Sequence, residues 1–340
     1  MKEMYNFNYI SKKRNIILGI ATLLVAYCHS TSLLVENLFS IQIINNILVF
    51  IREIGTIGVY IFLILSGVGL YYSFSKNKNL KQFYKKRAVR ILPAAIIVAI
   101  IITMLKGGYG VGKYLQRIFL LQFFIDGNLD FWYFSFIIVL YFLYPLLHKM
   151  VEKYDYKFVI IFIISIILGN VLFMKYNIYL YNRFEIATTR IPVFIMGIWL
   201  GKKSYEEWKI NSKWLLLFLA MFLITILLLY SRMFISKYII VRFLYCPLAV
   251  SIVVILSCVY TIFEKNNLLT RFFIWLGTYS MEIYLLYEYL VKNYYHLFNY
   301  KDPYNISYYI CMFVITLIFA TALKRFCNEL TDKVLIKDKN

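Results

Sequence analysis

Ile54-Gly-Thr-Ile-Gly58-Val-Tyr-Ile-Phe-Leu-Ile-Leu-Ser-Gly67-Val-Gly-Leu-Tyr-Tyr-Ser-Phe74 decides the fold. Arg52 and Glu53 precede it and Lys76 follows it, yet no charge lies within. As a helix rising 1.5 Å per residue it reaches ~30 Å, the thickness of a bilayer's hydrocarbon core. Nine further apolar runs bounded by charge lie at 16–34, 91–106, 131–147, 158–174, 186–201, 214–230, 238–262, 272–291 and 305–323. Together they account for a chain of 340 residues that is 62% hydrophobic and 16% charged, with a mean hydropathy of +0.70. Soluble domains carry roughly 45–50% apolar residues. A water-soluble class is excluded, and the sequence predicts an all-α, polytopic transmembrane bundle of about ten spanning helices. Short loops leave no room for a separate soluble domain, so residues 1–340 are read as one membrane domain.

The charge pattern orients that bundle. Of 37 lysines and arginines, 25 fall on the side that ten spans assign to both termini and 12 on the other. Cytoplasmic flanks are enriched in Lys and Arg, which puts both termini in the cytoplasm. The formal charge of +20 fits this topology and contact with anionic lipid. Nucleic acid is a poor partner, because the basic residues sit in short loops rather than along one stripe. Cys28, Cys246, Cys258, Cys311 and Cys327 are odd in number and lie in apolar segments, and imply neither a disulfide framework nor a metal site. No small-residue cleavage site follows the first run, which is therefore read as a retained helix. The run Tyr114–Phe124 is too short to span and is expected to be interfacial or re-entrant.

Gly107-Gly-Tyr-Gly-Val-Gly-Lys113 fits half of a phosphate-binding loop, but Tyr114 stands where a magnesium-binding hydroxyl is required. The glycines are read as a turn. Asn305-Ile-Ser307 is an incidental match to a glycosylation sequon.

His29 lies in the first apolar run, and an ionisable group at membrane depth is a functional candidate. Counting along the helices brings Arg190 and Glu282 to comparable depth, roughly 17–22 Å from the cytoplasmic ends of their runs. A base, a cation and a carboxylate in one layer can orient and activate a hydroxyl; a structural ion pair beside an unrelated histidine reads equally well. Arg87 and Arg90, three apart in Lys81-Gln-Phe-Tyr-Lys-Lys-Arg87-Ala-Val-Arg90-Ile-Leu-Pro93, share one helix face and can grip phosphate oxygens together.

These residues stand in an order that resembles the bacterial integral-membrane acyltransferase family three, the sugar and peptidoglycan O-acyltransferases. His29 matches the family's histidine, and Gly58-Val-Tyr-Ile-Phe62 through Ser66-Gly67 resembles its GVxxFFxxSG segment. Arg87 and Arg90 fall on the RxxR motif. Trp132-Tyr133-Phe134 with Tyr141 and Pro145, Arg190-Ile-Pro-Val-Phe194-Ile-Met-Gly197, and Leu276-Gly277 through Tyr284-Leu285 are similar to its later segments. There are departures: the arginine often found before the histidine is Leu18, with Arg14 one turn earlier, and an acidic position is Asn15. A late histidine is Tyr287, and a span-four glutamate is Ile137.

The resemblance implies transfer of an acyl group, acetyl above all, from cytoplasmic acyl-CoA to a hydroxyl of a cell-surface or lipid-linked glycan. The setting would be the bacterial cytoplasmic membrane. It implies no bound cofactor: acyl-CoA is a co-substrate. His29 would be the general base or carry the acyl group, with Glu282 orienting its ring. Arg87 and Arg90 would bind acyl-CoA, and Ser66, Trp132, Arg190 and Tyr287 would face the acceptor cavity. The rival reading is a transporter or flippase of a lipid-linked sugar. No half-to-half repeat supports it, and acyl-CoA-dependent labelling separates the two.

Overall fold

The computed structural model describes residues 5–30, 41–108, 110–232, 238–262, 267–293 and 306–336. Nearly all of this is helix. In chain order the helices are α1 (Asn8–Lys12), α2 (Arg14–Cys28), α3 (Gln42–Ile54), α4 (Ile57–Lys76), α5 (Leu80–Lys106), α6 (Val111–Ile118), α7 (Gln122–Asp126), α8 (Trp132–Tyr176), α9 (Ile178–Thr188), α10 (Ile191–Tyr205), α11 (Ser212–Arg232), α12 (Tyr238–Ile262), α13 (Leu268–Thr278), α14 (Ser280–Asn293) and α15 (Ile306–Ile336). A two-residue antiparallel pair, Tyr5 opposite Ile210 and Asn6 opposite Lys209, is the β structure among the described residues.

Among the described residues, seven helical stretches are long and apolar enough to cross a membrane: Ile57–Lys76, Leu80–Lys106, Trp132–Tyr176, Ile178–Tyr205 (α9 followed by α10), Ser212–Ser231, Val241–Tyr260 and Tyr308–Thr331. The all-α multi-pass architecture stands. The arithmetic of ten runs meets seven helices because helices merge, shorten and break. Runs 131–147 and 158–174 are both inside α8, whose 45 residues are interrupted at Asp155 (φ 49°, ψ −135°). Trp199 Nε1 donates to Asp155 Oδ1 at 2.7 Å and Lys203 Nζ donates to Oδ2 at 2.9 Å, which fixes the break in the expected loop. Run 272–291 divides into α13 and α14 between Thr278 and Ser280. The expected interfacial stretch is two short helices, α6 and α7, separated by Leu120 at φ 58°. Gly107 and Gly108 adopt positive φ just past the end of α5. The acceptor position of the sequon, Asn305, lies outside the described residues.

The chain divides into two compact units, each discontinuous in sequence. The first contains the chain up to Val25, Ile54–Lys78 and Tyr144–Thr278; the second contains Ala26–Glu53, Asn79–Leu143 and the chain from Tyr279 onward. In the first unit α4 and α10 press together through glycine. A Cβ on Gly67 would lie 2.7 Å from the Gly197 carbonyl carbon, and one on Gly197 would lie 2.8 Å from Ile64 Cα. Only hydrogen side chains permit this approach. In the second unit α14 and α15 pack on each other and on α5.

Candidate active site

Within the second unit α2 stops at Cys28, and His29 and Ser30 form the turn that ends it. The backbone N–H of His29 reaches Ala26 O at 3.3 Å and that of Ser30 reaches Tyr27 O at 3.0 Å. Arg52 Nε of α3 donates to Ser30 O, and Tyr27 OH donates to Leu48 O at 3.0 Å. The turn bearing His29 is thus tied to α3 at two points. The sequence expected His29 inside a span; the structure puts it at a helix end, where the peptide dipole leaves partial negative charge.

The carboxylate beside it is Glu288. Its Oε2 lies 3.9 Å from His29 Nε2, and the side chains are 24% and 30% exposed for His29 and Glu288 respectively. Glu282, expected in that role, is instead 4% exposed and faces Lys324 of α15, with Lys324 Nζ 3.7 Å from its Oε2. The reason is rotational. Six residues on a helix advance ~9 Å and make about one and two-thirds turns, so Glu282 and Glu288 lie roughly 120° apart around α14. The break after Thr278 also voids a straight depth count from Arg271. Arg90 acts electrostatically on both Glu282 and Lys324. Arg87, on the same helix, lays its guanidinium 5.5 Å from the Phe83 ring centroid. Arg90 is thus grouped with Glu282 and Lys324, whereas Arg87 is packed on Phe83.

At the other end of α5 is a cavity of about 150 Å³. Trp132, Tyr133 and Tyr284 line it together with Lys106, Asp130 and Glu288. Glu288 is thus shared between the imidazole and the cavity wall. Lys106 Nζ donates to Asp130 Oδ2 at 2.9 Å, and Arg117, 1% exposed, donates to the same oxygen. Burial of Asp130 opposes ionisation, but Lys106 and Arg117 outweigh it and hold the carboxyl below its usual range. Tyr287 is buried with its ring edge-on to Phe313 at 5.7 Å.

Ser66 and Arg190 belong to the first unit. Ser66 is buried in α4. Arg190, 1% exposed, caps α10; its guanidinium lies 4.6 Å from the Tyr60 ring centroid, and NH2 donates to Thr56 Oγ1 at 3.3 Å. Such a desolvated cation–aromatic contact contributes ~2 kcal/mol. Arg14, which precedes the family's arginine position by a turn, donates from Nε to Leu65 O at 3.1 Å, while Leu18 is buried. His148 is buried among the rings of Tyr71, Phe74 and Tyr144.

Sequence reasoning missed Glu288, Lys106, Asp130, Arg117 and Lys324. A second carboxylate in run 272–291 was a visible signal for Glu288. The rest depend on which helices meet. Among the described residues no cluster of His, Cys, Asp and Glu could hold a metal ion. Residues 15–325 match the family model described as an acyltransferase domain, acyltransferase family three. The chain matches no curated protein and no solved structure.

Proposed function

The chain belongs to acyltransferase family three, and on that premise we propose that this multi-pass membrane acyltransferase moves an acyl group, acetyl above all, from cytoplasmic acyl-CoA to a glycan hydroxyl. The observation that carries the reading is the pairing of His29 with Glu288, a carboxylate that also lines an aromatic cavity. In this reading His29 takes the proton of the acceptor hydroxyl as that oxygen attacks the thioester carbonyl. The charge gained by the ring falls beside the Glu288 carboxylate and the carbonyl end of α2, which favours the proton transfer. The thiolate of CoA then leaves, taking up the proton.

The donor end of the reading rests on α5. Arg87 and Arg90 lie near its start, Arg90 acting electrostatically on Glu282 and Lys324, and Lys106 ends it ~24 Å from Arg90. A polyanionic nucleotide at the arginines, which the lysine count assigns to the cytoplasm, leaves its thin pantetheine arm to carry the thioester inward. Glu282 holds Lys324 and Arg90 until phosphates replace it. Acyl acceptors at a bacterial cell surface, whether polysaccharide or lipid-linked sugar, would enter from the Lys106 end, where Trp132 lines the cavity.

The test is transfer of label from [acetyl-14C]acetyl-CoA to glycan in membranes bearing the protein. Donor-dependent labelling that fails in His29→Ala membranes is expected. Glycan movement across the membrane without acylation would contradict the proposal and favour a flippase.

A further inference from the structure

The cavity beside Glu288 is small. At about 150 Å³ it is well below the ~300–1,000 Å³ of sites for drug-sized ligands. One ring fits, and a longer chain must extend out of the mouth. Its walls mix flat aromatic faces with charged oxygen, the pairing that suits a hydroxylated ring with apolar C–H faces.

The charges decide what kind of ring. Two carboxylates, Asp130 and Glu288, face the cavity, and among the described residues lining it the one cation is Lys106. That ammonium is already held 2.9 Å from Asp130 and lies 5.6 Å from the centroid of the Tyr289 ring. Arg117 is buried on the same Asp130 oxygen, which keeps this carboxylate ionised and in place. An anionic guest would stand against two like charges, and would have to pull Lys106 away from Asp130 to find a partner. Like charges brought together are the usual means of rejecting a wrong ligand.

We propose that this cavity is the acceptor subsite and that it takes a single uncharged hydroxylated ring, the Lys106–Asp130 pair excluding carboxylated sugars. The assignment of the cavity to the acceptor rests on the acyl-transfer reading of His29; the charge selectivity does not. Asp130 is the specificity-determining residue, because it cancels the cation that an acidic sugar would need.

Methyl glucoside and methyl glucuronide share one ring and differ by a carboxylate, so they isolate the effect. Saturation-transfer NMR on the full chain in detergent, without donor, measures both affinities. The glucoside is expected to bind about tenfold tighter than the glucuronide or better. Asp130→Asn releases Lys106 and should narrow or reverse that ratio. Lys106→Gln leaves Asp130 held by Arg117 and should widen it, which keeps the test meaningful even if the first variant folds poorly. Equal binding of the two rings, binding of neither, or variants that shift the ratio together in one direction would overturn the proposal. If selective binding is found but no label moves from acetyl-CoA, the acyl-transfer reading fails while the sugar subsite stands. If label moves yet glucuronide competes as well as glucoside, the subsite assignment fails alone.

Discussion

A base inside a helix bundle is useful only where the charge it acquires is met, and Glu288 meets it at His29 from 3.9 Å. In the proposed reading the basic residues near the start of α5 have the opposite task of meeting charge brought by a ligand. Charge-assisted hydrogen bonds contribute ~1.5–3 kcal/mol each. Arg87→Ala with Arg90→Ala should therefore weaken acyl-CoA binding by more than about tenfold, with a shallower dependence on salt. Unaltered affinity by equilibrium binding would return the pair to topology alone. Asp130 yields a prediction of definite sign. Lys106 and Arg117 depress its folded-state pKa below the ordinary 3.8. Its contribution to stability is then complete above that ordinary value and is lost as pH falls through the depressed one. Thermal melts should separate the wild type from Asp130→Asn at pH 5–7, with the gap closing below pH ~4. A gap that persists unchanged at pH 2 would contradict the assignment.

Among the elements, α4 and α10 carry the clearest message. Gly67 and Gly197 belong to two motifs far apart in sequence, and they meet where the helices touch. Gly67→Ala should destabilise by ~1–3 kcal/mol through overpacking. Gly169→Ala, where an added Cβ meets nothing within 4 Å, should be neutral or slightly stabilising. Denaturation in detergent distinguishes the two, and equal effects would refute the close-packing account. The motif was readable in the sequence; the contact between its glycines was not. Helix breaks follow the same rule. Charge marked the loop around Asp155, but nothing in run 272–291 announced that α13 ends at Thr278. That unseen break and the rotation between Glu282 and Glu288 account for the difference in which carboxylate faces His29. Periodicity and depth can be counted along one helix, whereas the facing side chain of a second helix cannot.

At the level of the whole chain, hydropathy alone gave an all-α membrane protein, and that class holds. The ordered motifs gave the family. The cavity with Lys106, Asp130 and Glu288 assembles three segments that only folding brings together, so it left no local trace. Orientation is an expectation from charge: on the ten-run layout, 25 basic residues on one side against 12 on the other predict a cytoplasmic C-terminus. A C-terminal fluorescent-protein fusion, which matures only in the cytoplasm, should fluoresce; a dark fusion with an active exported-enzyme counterpart would reverse the topology and the donor side with it.

The central claim is that His29 takes the acceptor proton beside Glu288. The rate of acetyl transfer from saturating acetyl-CoA, compared at equal expression in wild-type, His29→Ala, Glu288→Gln and Glu282→Gln membranes, tests it most directly. The account predicts a loss of ~10²–10⁴-fold for His29→Ala, a smaller loss for Glu288→Gln, and for Glu282→Gln an altered donor KM with kcat kept. Undiminished transfer by His29→Ala would contradict it.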